Sequence, residues 1–115
     1  MSNQSFSDAI KATQENIARF EKIEGKTWGV EGAVIELTKQ VGQLSALVMN
    51  REGYYFPERE KLSSIYEATD DRIADELVDI MFAVVRIAKQ YNIDLVDSSA
   101  KIRLTEDKFL KENGV

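Results

Sequence analysis

Glu76 and Asp79 stand three residues apart inside Ala74-Asp75-Glu76-Leu77-Val78-Asp79-Ile80-Met81-Phe82-Ala83-Val84-Val85. On a helix that spacing puts both carboxylates on one face, and the surrounding stretch is apolar almost all the way round. A carboxylate is costly to bury unless it is paired, hydrogen-bonded or bound to a metal. A divalent cation is the sharpest candidate. The plain alternative is ion pairing, with Arg72, four residues before Glu76, and Arg86, seven after Asp79, as partners.

Absences narrow the chemistry further. The 115-residue chain has no Cys and no His. Disulfides, thiolate zinc sites, imidazole ligands and Cys or His catalysis are thereby excluded. Any reaction falls to carboxylates, amides, Lys, Arg, Tyr or a metal-bound water, and an all-oxygen site favours a hard cation such as Mg²⁺ or Mn²⁺. Apolar residues make up 43% and charged residues 30% of the chain, an ordinary globular balance. With 15 basic against 20 acidic side chains and no basic stripe, neither nucleic acid nor an anionic membrane is an expected partner. The longest apolar run, residues 80–85, is far short of a membrane span. The first residues lack a positive segment followed by an apolar one, so a cytoplasmic location is the expectation.

The elements that must position these residues read as helices. The first is expected over about 7–24, with Phe6, Ile10, Ile17, Phe20 and Ile23 at helical spacing, Ser5 or Ser7 as cap and Gly25 as stop. The second, over about 31–51, carries Val34, Leu37, Val41, Leu44 and Val48. Gly42 within it costs about 1 kcal/mol relative to Ala, and close helix–helix contact is the expected reason. Between residues 52 and 69 the pattern lapses into a loop with Gly53, the aromatic cluster Tyr54-Tyr55-Phe56, Pro57 and a charged run at 58–61. A loop of that length in so small a domain is more often functional than incidental, and its aromatics read as an anchor on a partner subunit. The third helix starts at Asp70 or Asp71 and runs to about Tyr91, with Asn92 as punctuation. The fourth spans about 95 or 98 to 111, with Ile102 and Phe109 facing inward.

The expected class is all-α, in one domain over 1–115. In the third helix Ile73, Leu77, Ile80, Met81, Val84, Ile87 and Ala88 cover one broad face, while Val78, Phe82 and Val85 cover another. A helix apolar on most sides is central or lies at an interface. One four-helix domain can hardly surround it, so a homo-oligomer is expected, most simply an isologous dimer.

From about Trp28 to Phe109 the chain resembles the MazG-like branch of the all-α nucleoside triphosphate pyrophosphohydrolase superfamily. The resemblance rests on Glu36-Leu37-Thr38-Lys39-Gln40-Val41-Gly42-Gln43-Leu44, on Asp75-Glu76-Leu77-Val78-Asp79-Ile80, on Arg86-Ile87-Ala88 and on Asn92-Ile93-Asp94-Leu95. It implies a four-helix bundle completed by dimerisation, in a homodimer or tetramer. It also implies cleavage of a nucleoside triphosphate to monophosphate and pyrophosphate, with Mg²⁺ held by acids from two helices.

Carried over residue by residue, the resemblance makes Glu76 and Asp79 the metal ligands, with Asp75 just before them. Aligning Val41-Gly42-Gln43-Leu44 with the family's Val-Gly-Glu-Leu places Lys39, Gln40 and Gln43 where three glutamates normally stand. Glu36, one turn earlier and on the face of Gln43, can supply one displaced carboxylate. On this alignment Glu36, Gln40 and Gln43 complete the catalytic pocket and Lys39 meets phosphate. Trp28 is a hydrophobic plug at the start of the second helix or a stacking surface for a base. Asn92 is a turn residue close to where the family's substrate pocket lies. Lys101 and Arg103 flank the position of the family's helix 4 lysine and can reach phosphates.

A Gln amide offers Mg²⁺ only a neutral oxygen. Glu76 and Asp79 suffice for one ion once phosphates and waters contribute, whereas a second, clamping ion has lost its ligands. Lys39 can replace such an ion electrostatically, but it cannot make a metal-bound hydroxide. Weak or altered hydrolysis at best is therefore expected. Two other functions stay open: a non-catalytic nucleotide-binding or regulatory relative, and a helical oligomerisation protein whose acids are held by Arg72 and Arg86.

Overall fold

The computed structural model describes residues 4–54 and 67–115. Among them are four helices and no strands: α1 (Phe6–Glu21), α2 (Val30–Arg51), α3 (Asp70–Gln90) and α4 (Leu95–Glu112). The all-α class holds. The expected loop features at Tyr55, Phe56, Pro57 and 58–61 lie outside the described residues.

Local chemistry explains most of the boundaries. Ser5, not Ser7, caps α1 in a reciprocal box: its hydroxyl accepts from the Asp8 amide at 3.1 Å, and the Asp8 carboxylate accepts from the Ser5 amide at 3.4 Å. The helix stops at Glu21, three residues before the expected end. At the start of α3 the Thr69 hydroxyl accepts from the Arg72 amide at 3.2 Å. Asp70 and Asp71 then fill the first turn, where negative charge suits the helix dipole. Asn92 ends the same helix with φ of 53°. The amide of Asn92 bonds the Lys89 carbonyl at 3.2 Å and that of Ile93 bonds the Ala88 carbonyl at 2.9 Å. This is a Schellman turn with Asn in the left-handed position usually held by Gly. Two residues on, the Asp94 side chain accepts from the Asp97 amide at 3.0 Å and caps α4.

The chain forms two compact units. Trp28–Val84 comprises α2 and the larger part of α3. The other combines the residues up to Thr27 with Val85–Val115, and so holds α1, the last turns of α3 and α4.

In the unit built on α2, the fully buried line is Ala33, Gln40 and Leu47, each seven residues from the next. Val34, Val41 and Val48, expected inside, are instead exposed, while Leu37 and Leu44 are half-buried. Both sets obey helical periodicity, so the sequence pattern fits either as the inner stripe. On α3 Leu77, Val78, Met81 and Val84 are exposed and Ala83 is buried. An ion pair of 2.5 Å joins Arg51 at the end of α2 to Asp70 at the start of α3.

In the second unit Ile10 and Ile17 of α1 are buried, as are Val85 and Ala88. Phe6, Phe20 and Ile23 are not. No residue of α4 is buried, and Ile102 and Phe109, expected to face inward, are 55% and 63% exposed. Among the described residues, no helix is long and apolar enough to cross a membrane.

Arg86 is buried, and its Nη1 donates to both Glu24 oxygens at 3.2 and 3.1 Å. The pair fastens the connection after α1 to the last turns of α3. Removing one partner of such a pair leaves a charge uncompensated in a poorly solvated place. Glu24→Ala is therefore expected to lower stability by about 3 kcal/mol, measured from the shift in urea unfolding midpoint at constant slope.

Candidate functional site: a charged cleft between two helices

Two helical faces meet the requirement set by the sequence. On α2, Lys39, Gly42, Gln43, Ala46 and Leu47 share one face through three- and four-residue spacings. On α3, Arg72, Asp75, Glu76 and Asp79 do the same. Together these residues line a cleft of about 660 Å³ within the unit 28–84, a volume in the range of small-molecule sites. Its walls carry two cations and three carboxylates.

Glu76 is the electrostatic centre of this arrangement. Its Oε2 is buried and has no hydrogen-bond partner. Burial, foremost, pushes its carboxyl above the usual range; the charges of Asp79, Asp75 and Glu36 add to the shift and Lys39 opposes it. Asp75 and Asp79 are exposed to solvent.

The α2 side differs from the expected layout. Glu36 and Gln40 do not line the cleft. Gln40 is buried, and its Nε2 donates to Glu36 Oε1 at 2.7 Å, while its own Oε1 is buried without a partner. The other Glu36 oxygen lies 3.4 Å from Lys39 Nζ. Of the three residues that the resemblance aligns with glutamates, Lys39 and Gln43 reach the cleft and Gln40 turns to Glu36 instead. An added Cβ on Gly42 would meet nothing within 4 Å. The close helix contact expected there is absent: Gly42 borders open space in the cleft wall.

The remaining sequence candidates lie elsewhere. Trp28 lies against the start of α2, where a Cβ on Gly32 would sit 3.4 Å from its ring, and it is not in the cleft lining. Asn92, Lys101 and Arg103 belong to the other unit. There Asn92 makes the Schellman turn, Lys101 pairs with Asp97 at 2.9 Å, and Arg103 pairs with Glu106. Arg86 meets Glu24 within its own unit. Arg72 and Asp75 were underrated by sequence reasoning. The signal was present in the three- and four-residue steps from Arg72 to Asp79, which place all four on one face.

Among the described residues, no group of three or more acids is close enough to hold a metal ion alone. Two carboxylates such as Glu76 and Asp79 would need further oxygens to complete the coordination of a hard cation. No family model matches the chain, and no curated protein or solved structure is significantly similar to it.

An acid whose folded pKa exceeds its unfolded value binds its proton more tightly in the folded state. Ionising Glu76 therefore lowers stability as pH rises through its raised pKa, and the penalty vanishes below its unfolded value of about 4.5. Glu76→Gln is expected to unfold at higher urea than the wild type at pH 7 without ligand, with the gap closing by pH 4. Urea titrations at the two pH values measure it.

Proposed function

We propose that this chain is a divergent MazG-like nucleoside triphosphate pyrophosphohydrolase that seats its substrate's phosphates, with one Mg²⁺ or Mn²⁺, in the cleft between α2 and α3. The observation that carries this reading is the buried, unpartnered Glu76 oxygen beside Asp79, in a cleft that also presents Lys39 and Arg72. A carboxylate oxygen stripped of water and left without a donor is accounted for by a ligand that binds it. A cation meets that need, and the two carboxylates fit one hard ion whose remaining positions are taken by phosphate oxygens and water.

Such an ion, when bound, supplies Lewis-acid polarisation of a phosphoryl oxygen and an acidified water. The chain's own groups do the rest. Glu76 and Asp79 would hold the cation, Lys39 and Arg72 would offset phosphate charge, and the Gln43 amide would offer hydrogen bonds from the wall opposite the acids. With no third acid in place, transition-state charge is stabilised less than a two-ion site would manage. Turnover is therefore slow.

A second reading, a nucleotide-binding protein without catalysis, is favoured by the same Lys39 and Gln43 at the cleft wall: both suit phosphate binding and neither makes a hydroxide. In either case the apolar residues that the isolated chain leaves exposed, Val34, Val41 and Val48 on α2 and Leu77, Val78 and Met81 on α3, suit burial against a second copy. The proposed assembly is a homodimer, or a tetramer built from it, in which these stripes complete a helix bundle.

Incubating the protein with each common nucleoside triphosphate and Mg²⁺ or Mn²⁺ should release pyrophosphate slowly. Glu76→Gln with Asp79→Asn is expected to reduce release at least about 100-fold with helix content unchanged, and Gln43→Glu to tighten metal binding. Nucleotide-dependent thermal stabilisation without release selects the second reading. Neither release nor stabilisation rejects both. Gln40→Glu is no restoration, since it would set a second carboxylate against Glu36.

For the assembly, Val41→Glu with Met81→Glu is expected to convert a dimer to a monomer in sedimentation velocity. A wild type that is monomeric at tens of micromolar would contradict the proposed dimer.

A further inference from the structure

Three side chains on one turn of α2 are bound to one another in order. Gln40 Nε2 donates to Glu36 Oε1 at 2.7 Å, and Glu36 Oε2 holds the Lys39 ammonium at 3.4 Å. Only the last of them lines the cleft. Gln40 is buried to 9% exposure in the middle of the Ala33–Gln40–Leu47 line, an unusual place for an amide among core positions. One of its polar atoms is left unsatisfied there. A Leu or Met at this position would avoid that penalty, so the amide serves some other end. Among the described residues its hydrogen-bond partner is Glu36.

The geometry points to Glu36 and Gln40 as positioning residues for Lys39, and to Lys39 as the cleft's anchor for a phosphate group, able to hold it without a metal. This rests on the phosphate-binding reading proposed above and assigns the α2 wall its part in it. A lysine on a free four-carbon stem loses considerable rotamer freedom when it binds an anion. A carboxylate fixed by a buried amide restricts that freedom beforehand, and pre-organisation of this kind strengthens binding. The ammonium has three donors and Glu36 engages one of its edges, while the Lys39 side chain remains 57% exposed. It therefore stays available to a ligand. Lys39 also acts electrostatically on Glu76 across the cleft, which places its charge within range of whatever Glu76 binds.

The two roles available to Glu36 predict opposite signs. If Glu36 is only a nearby negative charge, deleting it removes repulsion and an anion binds more tightly. If it positions Lys39, deleting it weakens anion binding although a negative charge has gone.

Calorimetric titration of inorganic pyrophosphate into the full chain in EDTA separates them, alongside titration of each common nucleoside triphosphate with Mg²⁺. The wild type is expected to bind pyrophosphate without metal. Lys39→Ala should weaken that binding about ten-fold, as loss of one charge-assisted contact does, and Lys39→Arg should recover most of it. Glu36→Ala should weaken it about three-fold, and Glu36→Gln, which keeps an acceptor for Gln40 and Lys39, should fall between it and wild type. Gln40→Leu should behave like Glu36→Ala with a melting temperature no lower than wild type. Tighter or unchanged binding in both Glu36 variants overturns the positioning role. Wild-type binding of Mg²⁺–nucleotide without binding of metal-free pyrophosphate overturns this inference and leaves the nucleotide reading standing. Failure to bind either ligand removes both.

Discussion

The carboxylate of Glu76 sets the terms for everything around it. One of its oxygens is withdrawn from water and receives no hydrogen bond, and the nearest charges on its own helix, Asp75 and Asp79, are of the same sign. A folded chain tolerates that only while compensating interactions elsewhere exceed the penalty. Lys39 on the opposing helix acts in the favourable direction. The geometry of α2 against α3, the identity of the residues facing the acids and the existence of a cleft instead of a packed seam all bear on how that one group is accommodated.

The surrounding scaffold is built to hold those faces in register by short-range means. The Arg51–Asp70 pair joins the end of α2 to the start of α3. Thr69 caps α3 and fixes where its turns begin, and thus which way Arg72, Asp75, Glu76 and Asp79 project. Gly42 leaves the wall of the cleft low where any side chain would narrow it. Beside the cleft face of α2 the buried Gln40 replaces the apolar packing expected of its position by a hydrogen bond to Glu36. Polar chemistry therefore extends through α2, from the core line to the cleft, on a single turn of helix.

The same unit combines strong polar constraint with an apolar surface left open. Val78 is 62% exposed in a helix that also carries exposed Leu77 and Met81. Large contiguous apolar area on a chain of this size is a hydrophobic liability unless a partner covers it. The proposed second copy answers that and leaves the cleft acids free for ligand, because the two sets occupy different faces of the same helical turns. The site and the association would then be separable properties, each with its own residues.

Much was legible in the sequence. Four helices, their approximate ends, the stop at Asn92 and the pairing of Glu76 with Asp79 on one face follow from interactions between residues three and four apart, and these are written in the order of the chain. The sequence also excluded thiol and imidazole chemistry outright. What it did not carry was the choice among equivalent periodic stripes. Val34, Val41 and Val48 satisfy helical spacing as well as Ala33, Gln40 and Leu47 do, yet the second set is buried. Ile102 and Phe109 keep the spacing of a core face and face water. Nor does spacing tell that Gln40 bonds Glu36, that Arg86 meets Glu24, or that the Glu76 oxygen finds no donor. Periodicity is a property of one helix, whereas burial and hydrogen-bond satisfaction depend on what stands opposite, and that is decided only when the helices pack.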